Sequence, residues 1–311
     1  MKQKIETLSV YQFFKRMPNE DAARNYFESM RWSKGRYCPH CKSRNTVAVK
    51  DEKPQPYRCK DCRKHFSIRT GTVLAASNLP LQKWLLAVYL MSIAKKGVSS
   101  CQMARELGVT QKTAWMLCHK IREIWSVPVS PFTGIVETDE TYLGGKEKNK
   151  HFDKRLDAGR GTIGKQVVLG LRERTGKVKA IPAMGTDKAE IHGFINKNVK
   201  SGATIYSDNH KSYIGLDGYE HESVNHSGSE YVRGVVHTNG IESFWALLKR
   251  GYYGTFHHFS NEHAIRYVNE FASRINNTNC DTIDVLAITA KNSTGKHLPY
   301  KELTNHVATS R

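Results

Sequence analysis

The sequence has 311 residues, 39% of them hydrophobic and 25% charged, which is the composition of a soluble chain with room for two or three domains. It contains neither an apolar run of about 20 residues nor an apolar segment after its first lysines, so we expect a cytoplasmic protein without membrane contacts or secretion. The excess of 48 Lys and Arg over 29 Asp and Glu, a net charge of +19, predicts a polyanionic partner.

The chain opens with two short amphipathic segments separated by Pro18. The second segment starts with acidic residues directly after that proline, as the first turn of a helix commonly does. We predict that residues 1–34 form a helical cap on the module that follows.

Residues 35–70 contain two Cys-x-x-Cys pairs, formed by Cys38 with Cys41 and by Cys59 with Cys62. Each pair can reach a tetrahedral zinc ion from a tight turn, and the residues between the pairs can form a connecting hairpin. A redox motif would leave one pair without a role. The pattern therefore predicts a zinc ribbon with a structural Zn²⁺, and its many basic residues suit contacts with phosphates.

Residues 79–127 have the pattern of a helix-turn-helix. An apolar helix is followed by Ala104, by Gly108 four positions later, and by Thr110 as the cap of a second helix. A plain helical hairpin is the alternative, because this pattern is loose. In the DNA-binding interpretation, exposed side chains of the second helix would contact bases and phosphates, namely Gln111, Lys112, His119, Lys120 and Arg122.

Residues 133–280 have a different pattern, which predicts an α/β domain with a mixed sheet. Acidic residues end two of its predicted strands, and a third acid lies within a predicted helix. The expected order is a strand from 135, a hairpin over 166–182, a helix over 187–196, a strand over 203–208, a helix over 237–250 and a closing helix over 261–277.

The three acids are Asp139, Asp208 and Glu242. Cleaving or forming a phosphodiester requires an activated attacking oxygen and a stabilised leaving oxygen, and two Mg²⁺ ions held by carboxylates provide both. Lys249 shares a helical stripe with Glu242 and could hold a DNA phosphate. Four further residues flank the acids and are predicted to be supporting or surface residues, namely Glu137, Glu140, His210 and His237.

These residues resemble the DDE transposases of bacterial insertion sequences, and the four-cysteine ribbon points to their zinc-ribbon-bearing, ISXO-like subgroup. The resemblance rests on Asp139, on Asp208, and on the Asn239-x-x-Glu242 pattern followed by Lys249. It implies an RNase H-like fold over residues 133–280, with hydrolysis at the element ends followed by strand transfer into target DNA.

The resemblance leaves Asn239 and Glu242 as competitors for the third metal-binding role. A carboxylate offers two charged oxygens where an amide offers one weak oxygen, which favours Glu242. Asn239 would then open the helix or hold a metal ligand in position through a hydrogen bond. The resemblance also implies Mg²⁺ or Mn²⁺ at the acids, double-stranded DNA partners (terminal inverted repeats and target), a homodimer or larger oligomer on DNA, and association with the nucleoid. Lys249 and Arg250 would contact DNA, and 281–311 would be a C-terminal tail.

Two other functions fit parts of the same sequence. A zinc-ribbon transcription regulator would use the ribbon and the helix-turn-helix for binding and would not cut DNA. A repair or junction nuclease with an RNase H-like fold would cut DNA without joining it.

Overall fold

A computed structural model describes residues 7–145, 149, 151–156, 161–174, 176–224 and 236–304, and the chain divides into two compact units. The first unit joins Met1–Val127 to Asn279–Arg311, and the second is Pro128–Thr278. Within the described ranges, no helix has both the length and the apolar character needed to cross a membrane.

The first unit begins with two helices and a small sheet. Helices α1 (Val10–Arg16) and α2 (Glu20–Arg31) start at Ser9 and Asn19, whose side chains accept backbone N–H groups of the first turn. Trp32, which follows α2, lies edge-on to aromatic rings of the sheet, so helices and sheet share one core. The sheet is antiparallel, with strands β1 (Thr46–Ala48), β2 (Tyr57–Cys59) and β3 (His65–Phe66).

Three helices follow the ribbon, and a short turn joins the last two. They are α3 (Leu81–Ile93), α4 (Ser100–Leu107) and α5 (Gln111–Trp125). Gly108 ends α4 in the left-handed conformation with φ 59°, which a residue without Cβ adopts readily. Thr110 caps α5 by accepting the backbone N–H of Thr113. The predicted cap at Thr110 is confirmed.

The second unit is built on a five-stranded mixed sheet in the order β6-β5-β4-β7-β8. Its strands are β4 (Ile135–Leu143), β5 (Gln166–Glu173), β6 (Val178–Ala183), β7 (Thr204–Asp208) and β8 (Glu220–Val224). The first three are antiparallel neighbours, whereas β7 and β8 run parallel to β4. The mixed sheet confirms that part of the predicted fold class. Strand β8 was not predicted, because its mostly polar sequence lacks apolar alternation.

Helices cover both faces of this sheet. Helix α6 (Lys188–Asn198) packs on one face, and helices α7 (Asn239–Gly251) and α8 (Asn261–Asn276) pack on the other. The side chains of β5 alternate between the two cores as successive residues of a strand must, with Val167, Leu169 and Leu171 facing α6 and Val168 facing α7 and α8.

After α8 the chain returns to the first unit. Helices α9 (Thr282–Asn292) and α10 (Tyr300–Thr304) belong to that unit, and Leu286 is buried in its core. Residues 281–304 therefore complete a domain where the sequence analysis expected a tail, because their apolar side chains fill a core formed by distant helices. Residues 305–311 of the predicted tail lie outside the described residues.

Candidate metal centres and nucleic-acid contacts

Four cysteine side chains converge in the ribbon. The Sγ atoms of Cys38, Cys41, Cys59 and Cys62 all lie within 4.8 Å of one another. The Cys38–Cys62 and Cys41–Cys59 sulfur distances are 3.6 Å, near the edge of about 3.8 Å expected for a tetrahedral zinc with bonds of ~2.3 Å. Backbone hydrogen bonds, chiefly from Cys62, lower the pKa of Cys59 to about 7 and so favour the thiolate. The residues present fit the predicted structural zinc.

Asp139 and Asp208 lie on neighbouring strands of the second unit. Strands β4 and β7 are parallel, and their last paired residues are Glu137 and Tyr206. Continued for two residues, this register brings Asp139 next to Asp208. The sheet thus brings together two of the three predicted acids, which are far apart in the chain.

The carboxyl group of Asp139 is unusually difficult to ionise. Burial raises the pKa of Asp139 to about 7, and the negative charges of Glu140 and Asp208 act in the same direction. Two donors partly offset this effect: the Glu140 backbone N–H bonds Oδ1 at 2.8 Å, and the Trp245 indole N–H bonds Oδ2 at 2.9 Å. Like charges held this close together form a site that a divalent cation would stabilise.

Glu140 is a further, half-buried acid beside this pair. The phenol of Tyr213, in a short turn after β7, donates to its Oε2 at 2.8 Å. Burial raises the pKa of Glu140, the hydrogen bond from Tyr213 lowers it, and the charge of Asp208 raises it. The sequence analysis treated Glu140 as a supporting or surface residue. The only signal in the sequence was its position directly after Asp139, which does not reveal the contact with Tyr213.

Glu242, the third predicted acid, is exposed on α7 and accepts a hydrogen bond from Thr238 Oγ1 at 3.0 Å. In the described part of the chain, the ribbon cysteines are the only set of three or more His, Cys, Asp or Glu side chains with ligand atoms within 4.8 Å of one another. Glu242 therefore does not close a three-acid cluster with Asp139 and Asp208 here.

The start of α7 is attached to β4 through a buried carboxylate. Glu137 is 2% exposed, and its Oε2 accepts the backbone N–H of Ile241 at 2.8 Å. That N–H is one of those that the first turn of a helix leaves without an intrahelical partner. Arg174 Nε lies 3.1 Å from the other oxygen. Gly240 permits the contact, because a Cβ there would come within 2.5 Å of Oε2. Glu137 thus supports the helix that carries Glu242.

Three further predicted site residues lie on α7. Asn239 is its first residue and is exposed, but the residue at the N-cap position is Thr238, so a capping role for Asn239 is not seen. Lys249 is half-buried and Arg250 is exposed in the last turn, where basic side chains also interact favourably with the helix dipole. Their contacts with DNA remain predictions.

The two ends of α5 differ in exposure. Gln111 and Lys112 are exposed at its start. His119, Lys120 and Arg122 are buried, with exposed fractions of 0%, 7% and 2%. The prediction that these three side chains are exposed is wrong, because α5 packs against α3, α4 and also α9, which was not predicted as a helix.

Lys120 has a structural position in the first unit. Its Nζ donates to the backbone carbonyls of Val73 at 3.0 Å and Ala75 at 3.4 Å. Burial lowers the pKa of Lys120, and the positive charge of Arg69 lowers it further. The side chain thus ties α5 to the segment before α3.

Family comparisons match both parts of the chain. Residues 131–276 match the ISXO2-like transposase domain, and residues 18–65 match the transposase zinc-ribbon domain. A protein of transposable element ISH50 from Halobacterium salinarum is 33% identical over 245 residues, which is 75% of this chain and 83% of that protein. The chain belongs to the ISXO2-like transposase family. The acids described above lie in the matched transposase domain, and the four cysteines lie in the matched zinc ribbon.

Other relatives of this transposase are more distant. A transposase-like protein of Haemophilus influenzae is 30% identical over 104 residues, which is 33% of this chain and 83% of that protein. A pre-cleavage Mos1 transpososome crystal structure has a TM-score of 0.25 at 14% identity, covering 68% of this chain and 79% of the other. A simian T-cell lymphotropic virus intasome has a TM-score of 0.25 at 15% identity, covering 70% and 69%. Such TM-scores do not establish a shared fold, so the family assignment rests on the sequence comparisons.

Proposed function

We propose that this transposase cuts DNA at the ends of its insertion element and joins those ends to target DNA, using a divalent-metal site formed by Asp139, Asp208 and Glu242. The observation that supports this most strongly is the placement of Asp139 and Asp208 on adjacent parallel strands, where the charge of Asp208 helps to raise the pKa of Asp139. Hard divalent cations prefer such carboxylate oxygens.

The architecture of the second unit supports an RNase H-like assignment for the catalytic domain. Its mixed sheet has helices on both faces, and the two acids lie on adjacent strands, Asp139 in the middle of β4 and Asp208 at the end of β7. Acids on paired strands are held rigidly by the hydrogen bonds of the sheet, as catalytic geometry requires.

In this proposal each side chain has one role. Asp139 and Asp208 would hold Mg²⁺ or Mn²⁺, and Glu242 would join them by exchanging its hydrogen bond with Thr238 for the cation. The bound ions would activate the attacking oxygen and stabilise the leaving oxygen of the phosphodiester. Asn239 would open α7 beside the site. Lys249 would hold a DNA phosphate as a point charge.

The first unit would bind the DNA duplex. The zinc ribbon is rich in basic residues, which suit contacts with phosphates. Gln111 and Lys112 are exposed at the start of α5, directly after the turn, where a helix-turn-helix contacts the major groove. Arg250 would add a phosphate contact next to the catalytic site. Pairing two element ends would require at least a homodimer, acting on nucleoid DNA in the cytoplasm.

The test uses purified variants, Mg²⁺ and DNA carrying the terminal inverted repeats that flank the gene. We expect Asp139→Ala, Asp208→Ala and Glu242→Ala to lose cleavage and strand transfer by about 10³-fold or more, with duplex binding close to wild type. Asp217→Ala, which removes an exposed acid after β7, is the matched control and should stay active.

Each alternative has a distinct result in this assay. An active Glu242→Ala protein together with an inactive Asn239→Ala protein would transfer the third metal-binding role to Asn239. Wild-type protein that binds the repeats but never cuts would be a regulator. Protein that cuts without joining would be a nuclease, and either result would refute the proposed function.

A further inference from the structure

Trp245 is the only tryptophan in the sequence of the second unit, and it lies beside the proposed catalytic acids. Its side chain is 4% exposed, and its indole N–H donates to Asp139 Oδ2 at 2.9 Å. It is one helical turn beyond Glu242, so the helix that carries the third acid also contacts the first. The single donor of this buried indole is therefore placed on one of the proposed metal-binding carboxylates.

Gly170 provides the space for this indole. It is the β5 residue paired with Asp139 in the sheet. A Cβ at position 170 would lie 2.5 Å from Cη2 and 2.6 Å from Cζ2 of Trp245, and 3.0 Å from Cδ1 of Ile241. Any side chain at position 170 would therefore push the ring of Trp245 away from its present position.

The two oxygens of Asp139 are held by two different donors. Oδ1 accepts the backbone N–H of Glu140, and Oδ2 accepts the indole N–H of Trp245. A carboxylate oxygen has more than one lone pair, so each oxygen keeps an acceptor position for a cation. Together the donors fix the plane of the carboxylate, as outer-shell donors do for metal ligands generally.

We propose that Trp245 is a positioning residue that orients Asp139 for the catalytic cation, and that Gly170 leaves the space that this contact requires. The inference rests on the proposed function, since it assigns Trp245 a role only if Asp139 binds metal. Trp245 itself touches neither the cation nor DNA. Its loss should therefore change the metal requirement more than the maximal rate.

The first test is Trp245→Phe, which keeps an aromatic ring and removes the N–H donor. We expect the Mg²⁺ concentration for half-maximal cleavage to rise about 10-fold or more, with a smaller loss of rate at saturating Mg²⁺. Tyr252→Phe is the matched control, because it removes one hydrogen bond, to His258, from the same core without touching Asp139. The control should keep the wild-type Mg²⁺ requirement.

The second test combines Trp245→Phe with Gly170→Ala. Alone, Gly170→Ala should raise the Mg²⁺ requirement, because its methyl group displaces the indole. In the Trp245→Phe background the same methyl group should add little, because phenylalanine lacks the outer indole atoms that it would meet. Such non-additivity in a double-mutant cycle is expected of residues in direct contact. If the two substitutions caused unrelated packing defects, their effects on the Mg²⁺ requirement would instead be additive.

Thermal unfolding of every variant separates loss of folding from loss of positioning. If Trp245→Phe does not fold, the Mg²⁺ requirement of Gly170→Ala alone tests the inference, because that variant retains every aromatic side chain. A folded Trp245→Phe or Gly170→Ala protein with the wild-type Mg²⁺ requirement would overturn the inference. If Asp139→Ala is inactive in that experiment, the proposed function survives and only the role of Trp245 is lost. If Asp139→Ala is active, the proposed function itself fails.

Discussion

The thiolate site of the first unit and the carboxylate site of the second are assembled in different ways. Four sulfur atoms come from two short turns of one ribbon and already lie within 4.8 Å of one another. The acids come from β4, β7 and α7, and only Asp139 and Asp208 are neighbours through the register of the sheet. The carboxylates differ from the cysteines in that the charge of Asp208 helps to raise the pKa of Asp139.

The structures that surround the two sites also differ. The ribbon has three short strands and shares its core with neighbouring helices, so its turns depend on metal for their own stability. The catalytic sheet is packed between two apolar layers, and Glu137 and Trp245 hold its helix with protein hydrogen bonds. In the first unit, zinc would stabilise the fold of the ribbon. In the second unit, the fold would hold the acids of the proposed metal site in place.

The largest expected effect comes from removing zinc. Zinc binding contributes on the order of 10 kcal/mol to folding in small zinc modules, so Cys38→Ser or a strong chelator should unfold the ribbon. Amide hydrogen exchange over 46–66 should become fast, and binding to the terminal repeats should be lost. Cys101→Ser, at an exposed free cysteine on α4, is the control. If the backbone amides of the ribbon stay protected from hydrogen exchange without zinc, the proposed difference between the two sites is wrong.

A smaller effect is expected at Glu137, which attaches α7 without any metal. Glu137→Ala should lower the free energy of unfolding by about 3 kcal/mol, because the Ile241 N–H and Arg174 lose a buried partner. Glu137→Gln should cost less, since its amide oxygen can still accept the Ile241 N–H. Denaturant unfolding without added Mg²⁺ measures both. Equal losses for the two variants would mean that the charge, and not the helix cap, is what matters.

The third prediction concerns pH. Without added Mg²⁺ the folded protein keeps a proton on Asp139 up to about pH 7, whereas the unfolded chain releases it near the ordinary aspartate pKa of 3.8. The folded state therefore binds more protons between these values, and Asp139 makes the unit less stable as the pH rises through this window. Asp139→Asn, whose side chain stays neutral, should therefore gain stability relative to wild type as the pH rises from 4 to 7. Added Mg²⁺ should stabilise the wild type and reverse this trend.

Features set within a few residues were predictable from the sequence. The two cysteine pairs and the Thr110 cap depend on local spacing, and the structure has both. Asp208 was predicted to end a strand and does, whereas the same prediction for Asp139 is wrong, because β4 continues to Leu143 through its pairing with β5. Their proximity needed one more fact, namely that β4 and β7 are neighbours, and periodicity does not contain it.

Features that depend on packing partners were missed or wrong. His119, Lys120 and Arg122 were predicted to face solvent, but a helical wheel cannot show that α5 packs against α3, α4 and α9. Glu137 was predicted to be a supporting or surface residue, and its bond to Ile241 connects residues a hundred positions apart. Nothing in the sequence indicated that position 170 requires glycine, because the reason is the close approach of the Trp245 ring, which is distant along the chain.

The helix α9 ties the order of synthesis to the completion of the first unit. Leu286 lies fully inside that core, Trp125 bonds Thr289 through its indole N–H at 2.8 Å, and the Leu8 backbone N–H donates to Thr282 at 3.3 Å. A ribosome must therefore translate the entire catalytic stretch before the N-terminal half can finish folding. Polypeptides that end before this helix should leave the core of the first unit incomplete.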